Sequence, residues 1–121
     1  MINKTILKSC HSQGFQEEEL YGAYKIFFGT LVSESRLKII NLLRKRKLNV
    51  GEIVEALGFD QTSVSHDLSR LKKCGFVISE IRGKYRNYGL NEDTIVPLMK
   101  IIEKHMGQYC VHILSEMKGG N

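Results

Sequence analysis

The fold is decided by residues 60–75, which read DQTSVSHDLSRLKKCG and predict one helix with a marked start and a marked end. Asp60 can accept hydrogen bonds from the first free backbone amides, and Gly75 can adopt the left-handed conformation that ends a helix. Three apolar residues recur at the spacing of one helical face: Val64, Leu68 and Leu71. We therefore predict a helix that packs this face inward.

The opposite face of this helix is polar and has no carboxylate at its centre. Hydroxyls, an imidazole and cations occupy this face and its flanks: Thr62, Ser63, Ser65, His66, Ser69, Arg70 and Lys73. Such side chains donate to phosphates and meet base edges in a major groove, which is wide enough to admit a helix. An ordinary solvated helix also presents a polar face, so the neighbouring elements must decide between the two interpretations.

A short helix comes directly before this stretch. Residues 50–57 place Ile53, Val54 and Leu57 on one side, with Asn49 as the N-cap, and a turn that contains a glycine follows. Two helices joined by such a turn, the second with a polar outer face, are typical of a helix-turn-helix that binds DNA.

A basic hairpin is predicted directly after the stretch. Residues 76–81 and 85–90 are rich in β-forming side chains and flank a cationic turn. Three cations lie at or beside that turn and are placed to follow phosphates or to enter a minor groove: Arg82, Lys84 and Arg86.

The positive charge is concentrated in the middle of the chain. The 121 residues carry 18 Lys and Arg against 13 Asp and Glu, a net charge of +5. Residues 34–90 hold 12 basic and 6 acidic side chains, whereas the two flanks together have a charge of −1. This distribution favours a focused site for a polyanion. No apolar run is long enough for a membrane span and no signal peptide is recognisable, so we expect a cytoplasmic protein with no membrane partner.

We predict a single winged-helix domain over residues 1–121, mainly α, with about five helices and two strands. Residues 1–33 form an N-terminal arm and a helix from about position 16, and residues 34–90 hold the helix-turn-helix and the wing. Residues 91–121 form one long helix with its cap at position 93 or 94. The apolar stripes of the first and last helices need a partner, so we expect them to pack against a second copy.

The order of elements and several residues resemble the ArsR/SmtB family of winged-helix repressors. The matching segments are residues 35–43, 48–53, 61–68, 71–77 and the wing to Tyr88. The resemblance implies a homodimer that binds an inverted-repeat operator in double-stranded DNA, with repression relieved by a ligand. Position by position, the resemblance implies that Gln61 is a further DNA-contacting residue of the recognition helix. It also implies that Lys84 and Arg86 of the wing contact DNA.

The metal-sensing positions of the family are mostly lost. The Cys-x-Cys that many members use for thiophilic ions falls at or near Asn49 and Gly51. Of the four ligands that other members place on the last helix for Zn²⁺, only Glu92 and His105 have a competent side chain here.

A different sensing site uses the thiols and imidazoles that are present. His105 and His112 lie two turns apart on the predicted last helix, Cys110 is close to them, and Cys10-His11 precedes the first helix. The family's fold packs the first and last helices together in the dimer. Cys10 and Cys110 are therefore candidates for a thiophilic metal site or a redox disulfide. The alternative is that Cys110 is a buried apolar residue and that Cys10-His11 belongs to a mobile tail.

The sequence thus predicts a sequence-specific DNA-binding transcriptional regulator, acting as a repressor and not as an enzyme, since no catalytic constellation stands out. Two alternatives remain open: a winged helix that contacts an acidic protein, and a non-specific DNA-coating protein. Contacts of Thr62, Ser65 and His66 with base edges would distinguish them, because only such contacts create a preference among duplexes. The operator, the regulated genes and the inducer do not follow from the sequence.

Overall fold

The computed structural model describes residues 2–119 and has seven helices and three strands in that range. Their bounds are α1 Lys4–Ser12, α2 Glu17–Leu31, α3 Glu34–Leu43, β1 Leu48–Asn49, α4 Val50–Leu57, α5 Gln61–Lys73, β2 Val77–Arg82, β3 Tyr85–Leu90, α6 Ile95–Gln108 and α7 Cys110–Lys118. The mainly α winged helix-turn-helix is confirmed. The structure adds two helices and one strand to the number that the sequence predicted.

The core lies between α3, α4, α5, the hairpin and the start of α6. It contains Ile39, Ile40, Leu43, Leu48, Ile53, Val64, Leu68, Leu71, Phe76, Val77, Leu90, Ile95 and Met99. The three apolar residues of α5 that were predicted to face inward are fully buried. The 3.6-residue period of α5 therefore fixes which side of this helix is left for solvent or a ligand.

The end of α5 is built as predicted around a left-handed glycine. Gly75 has φ +78°, and its amide donates to the Lys72 carbonyl at 3.1 Å. The next amide, of Phe76, donates to the Leu71 carbonyl at 2.9 Å, which completes a Schellman motif. The buried Phe76 ring stacks on Phe27 of α2 with 5.2 Å between ring centroids. The turn that stops the helix thus also anchors it to α2.

The strands form an antiparallel sheet in the order β1-β3-β2. The hairpin pairs Arg82 with Tyr85 across a two-residue turn in which only Gly83 has a positive φ, +60°. This is the arrangement of a type II′ turn. The third strand, β1, was not predicted, because its two residues are too few to show alternation; there Leu48 is buried and pairs with Tyr88.

The N-terminal segment, which the sequence left open, is helical. The Asn3 side chain caps α1 by accepting a hydrogen bond from the Thr5 amide at 2.8 Å. Cys10 is buried, and its thiol donates to the Gln16 carbonyl at 3.4 Å in the turn toward α2. The expectation that Cys10 and His11 belong to a mobile tail is therefore wrong.

The predicted single C-terminal helix is interrupted. Its start is confirmed at Thr94, but Tyr109 has φ −127° and ψ −61° and separates α6 from α7. Gly107, which has low helix propensity, lies two residues earlier. No residue of α7 is buried within the single chain, so no packing against the core holds the two helices in line.

Large apolar side chains of the first and last helices stay exposed in the single chain. On α2 they are Tyr21, Tyr24, Ile26 and Phe28, and on the C-terminal helices they include Ile101, Met106, Val111, Ile113, Leu114 and Met117. The predicted stripes are partly buried in the single chain, since Leu20 and Met99 are buried, and only their exposed parts need a partner. In the part of the chain that the structure describes, no helix is both long and apolar enough to cross a membrane.

We expect Leu68→Ala to lower the free energy of unfolding by about 2–5 kcal/mol, because it leaves a cavity in a fully packed site. Urea denaturation followed by circular dichroism measures the loss. Ser69→Ala, on the exposed side of the same helix, is the control and should change stability by less than about 0.5 kcal/mol. Equal losses for the two variants would contradict the burial of this helix face.

Candidate nucleic-acid interface

The polar face of α5 is exposed as the sequence predicted. All eight predicted residues of this helix are accessible: Gln61, Thr62, Ser63, Ser65, His66, Ser69, Arg70 and Lys73. Thr62 and His66 line an open depression of about 670 Å³, which is also lined by Ser35 at the start of α3. The exposed hydroxyls and imidazole can reach an approaching duplex without any rearrangement of the core.

Ser63 has a structural task at the start of α5. Its amide donates to Asp60 Oδ2 at 3.0 Å, and its hydroxyl donates to Asp60 Oδ1 at 2.7 Å. These hydrogen bonds hold the pKa of the Asp60 carboxyl below its usual value, and the bond from the Ser63 hydroxyl has the larger effect. Because the Ser63 hydroxyl already has an acceptor, we assign it to the cap rather than to base reading.

Asp67 is a buried charged residue beside the polar face of α5 that the sequence reasoning missed. Its Oδ1 accepts from Arg36 Nη1 at 3.2 Å while its Oδ2 accepts from the Ser35 hydroxyl at 2.7 Å. The spacing carried a signal, since Asp67 lies three residues after Val64 and four before Leu71 on the inward side of α5. This ion pair attaches the recognition helix to the start of α3.

Arg70 turns toward α2 and not toward the centre of the polar face. Its Nε donates to the Thr30 hydroxyl at 3.0 Å, and Thr30 is fully buried. The Thr30 carbonyl accepts from Arg36 Nε at 2.8 Å. Arg70 and Lys73 line a cleft against α2, so they lie at the edge of the predicted DNA-binding face.

The wing presents three exposed cations. Arg82 Nε lies 3.6 Å from a carboxylate oxygen of Glu80, and Arg86 Nη1 donates to the Ser79 hydroxyl at 3.4 Å. Lys84 lies over the Tyr85 ring, with 5.7 Å from its Nζ to the ring centroid. These contacts shape the tip of the hairpin while leaving its charge at the surface.

The candidate metal and redox residues lie on separate elements. Cys10 and His11 are in α1, and Glu92 is in the turn before α6. His105 is in α6, whereas Cys110 and His112 are in α7, so the expectation that these three residues share one helix is wrong. Cys110 is exposed in the single chain and is not a buried apolar residue. Between residues 2 and 119, no three His, Cys, Asp or Glu side chains come together as a metal site.

The segment with this geometry matches a known protein family. Residues 33–79 fit the model described as bacterial regulatory protein, arsR family. This segment of the chain is similar to the arsR family of bacterial regulators. The match covers α3, the helix-turn-helix and the first residues of the wing, which are the elements that hold and present the polar face of α5.

Individual relatives extend the similarity beyond the matched segment. The uncharacterized HTH-type transcriptional regulator Rv0081 of Mycobacterium tuberculosis (strain ATCC 25618 / H37Rv) is 27% identical over 109 residues, which are 87% of this chain and 96% of that protein. The HTH-type transcriptional regulator NmtR of the same strain is 35% identical over 69 residues, 57% of this chain and 58% of NmtR. The crystal structure of Rv0081 has a TM-score of 0.72 at 26% identity, covering 78% of this chain and 96% of that one. With its arsR-like segment, this chain is a DNA-binding transcriptional regulator of the helix-turn-helix type.

We expect Asp67→Ala to destabilise the fold by about 1–3 kcal/mol, because it leaves the Arg36 guanidinium and the Ser35 hydroxyl without their acceptor. Glu55→Ala, which removes an exposed carboxylate from α4, is the matched control. Chemical denaturation of both variants gives the comparison. If the losses of Asp67→Ala and Arg36→Met simply add in the double variant, the two residues are not coupled as the structure indicates.

Proposed function

We propose that two copies of this chain bind an inverted-repeat operator and repress transcription, with α5 in the major groove and the wing along the phosphates. The single observation that carries the proposal is the capped helix α5, buried along one side and lined with exposed hydroxyls, an imidazole and cations on the other. Such a helix is held rigidly and still offers its donors to DNA.

The dimensions of α5 suit a major groove. Its 13 residues make a helix of roughly 20 Å, which is enough to cross a groove about 12 Å wide. We assign base reading to Thr62, Ser65 and His66, which are exposed and, within the described residues, form no side-chain hydrogen bonds. The wing cations supply phosphate contacts, which set affinity and not sequence preference.

A homodimer follows from the exposed apolar stripes of α2, α6 and α7. Burying these side chains against a second copy removes them from water, at a gain of roughly 25 cal/mol per Å² of apolar surface. A solution structure of Mb0332 from Mycobacterium bovis, with 22% identity and a TM-score of 0.70, shares the fold and is described as homodimeric. A twofold dimer would read an operator with matching twofold symmetry.

Metal sensing is the second function that the relatives suggest. CadC of Listeria innocua, a cadmium resistance transcriptional regulatory protein, is 36% identical over 76 residues, 62% of this chain and 64% of CadC. The residues of one chain do not fit a thiolate site of the Cys-x-Cys kind, because the positions at or near Asn49 and Gly51 hold no cysteine. A site for Zn²⁺ or a thiophilic ion, or a disulfide, shared by Cys10 and Cys110 of two copies stays a prediction from the family resemblance.

We expect a selection from random duplexes to enrich an inverted repeat. Ser65→Ala should then weaken binding to the enriched site by about 1–3 kcal/mol, with little effect on unrelated duplexes, because it removes a base-edge contact. Ser12→Ala on α1 is the matched control, and fluorescence anisotropy measures both. Enrichment of no sequence would favour a DNA-coating role, and no duplex binding at all would favour a protein partner.

We expect Lys84→Ala to weaken all duplexes by a similar factor and to reduce the slope of log K against log salt by about 1, since one phosphate contact is lost. Lys8→Ala on α1 removes the same charge far along the chain from the wing. If the salt slope of Lys84→Ala equals that of wild type and of Lys8→Ala, the tip of the wing does not contact the DNA phosphates.

A further inference from the structure

Thr30 lies in the last turn of α2 and is fully buried although its side chain is polar. Its hydroxyl donates to the Ile26 carbonyl at 2.7 Å and accepts from Arg70 Nε at 3.0 Å. A hydroxyl has one proton to donate and two lone pairs that accept. The third contact, at 3.5 Å from Cys74 Sγ, therefore uses the remaining lone pair, with the thiol as the donor. Three partners thus fix the Thr30 hydroxyl in one orientation.

The backbone of Thr30 is held from the start of α3. Its carbonyl accepts from Arg36 Nε at 2.8 Å, and the neighbouring Gly29 carbonyl accepts from Arg36 Nη2 at 3.2 Å. Carbonyls in the last turn of a helix have no partner within the helix, and the helix dipole favours a cation beside them. Arg36 therefore caps α2 and fixes the position from which the Thr30 side chain reaches α5.

The contact with Thr30 uses only one of the three nitrogens of the Arg70 guanidinium. Arg70 is exposed on α5, and its Nη1 and Nη2 have no acceptor among residues 2–119. No carboxylate in that range forms an ion pair with it either. The bond from Nε restricts the side chain at its inner end, while the charge and the two outer nitrogens stay available to an anion.

We propose that Thr30 positions Arg70 for a contact with a DNA phosphate. The buried hydroxyl holds Arg70 so that Nη1 and Nη2 meet the phosphate backbone beside the groove that α5 enters. This role rests on the proposed function, since it concerns how the same helix holds the duplex. Immobilising a long side chain on binding costs affinity, and a side chain that is already held in the free protein avoids most of that cost. Thr30 itself does not touch the DNA.

Nuclear magnetic resonance of the free protein tests the contact without DNA. The Nε–H signal of Arg70 is assigned by its absence in Arg70→Met. Its exchange with water should be slow in wild type and in Thr30→Ser, which keeps the hydroxyl. In Thr30→Val, which keeps the branched shape and removes the hydroxyl, exchange should be about tenfold faster because the hydrogen bond is lost. Equal exchange in Thr30→Ser and Thr30→Val would overturn the proposal.

Binding to the selected duplex separates positioning from contact. Arg70→Met should weaken binding and reduce the slope of log K against log salt by about 1, since one phosphate contact is lost. Thr30→Val should weaken binding roughly 2- to 10-fold, the cost of immobilising one long side chain. It should leave the salt slope unchanged, because Arg70 keeps its charge and still reaches the phosphate. Thr5→Val, the same change at an exposed position of α1, is the control and should alter neither quantity.

A double-mutant cycle shows whether the two residues act together. In the Arg70→Met background, Thr30→Val should cause no further loss of DNA affinity, since no guanidinium is left to position. If the two factors multiply in the double variant, Thr30 acts independently of Arg70 and the proposal is overturned.

Folding and dimerisation are measured on the same variants by urea denaturation and sedimentation equilibrium. Thr30→Ser removes a buried methyl group, so it should lower stability and keep DNA affinity. Thr30→Val should lower DNA affinity while the dimer stays folded. DNA affinity that follows stability across the two variants would mean a purely structural role and would overturn the proposal. No duplex binding by wild type would reject the proposed function and this role together, whereas wild-type binding that Thr30→Val leaves unchanged would reject this role alone.

Discussion

The buried carboxylate of Asp67 constrains how the recognition helix sits on the domain. An unpaired charge in that position would be costly, so α5 is stable only where Arg36 and Ser35 reach it. The apolar stripe alone would tolerate some rotation of α5 about its axis. The ion pair narrows that range, and Arg36 extends the link to α2 through the Thr30 carbonyl. Three helices therefore share one polar junction, which also contains the Arg70 contact with Thr30.

The features of the fold that were predictable from the sequence are those that depend on neighbouring residues along the chain. The Asp60 cap, the left-handed Gly75 and the buried stripe of α5 all have local causes, and all are confirmed. The strand β1 and the break at Tyr109 depend on contacts, or missing contacts, between distant elements. A strand of two residues is too short to show an alternating pattern. The apolar residues of α6 and α7 continue at helical spacing across Tyr109, so the sequence pattern does not show the break.

In the candidate site, the exposure of side chains was predictable from the sequence, whereas their hydrogen-bond partners were not. Helical period and hairpin pattern predicted correctly that the recognition helix and wing cations are exposed. They did not reveal that Ser63 is committed to Asp60 or that Arg70 is held by Thr30. The helical repeat of a sequence determines the direction in which a side chain points from the helix. Its hydrogen-bond partner depends on which residue of another helix or strand lies in that direction.

The positive charge of residues 34–90 is redistributed by pairing. Arg36 is neutralised by Asp67, Arg44 by Glu103 and Lys47 by Glu80, all away from the polar face of α5. The Arg44 hydrogen bonds also hold the pKa of Glu103 below its usual value. Between residues 34 and 90, the cations without a carboxylate partner are Lys45, Arg46, Arg70, Lys72, Lys73, Lys84 and Arg86. Five of these seven belong to α5 and the wing. Because screening confines surface charge to roughly 10 Å, the field that a phosphate backbone meets is dominated by these two elements and not by the net charge of the chain.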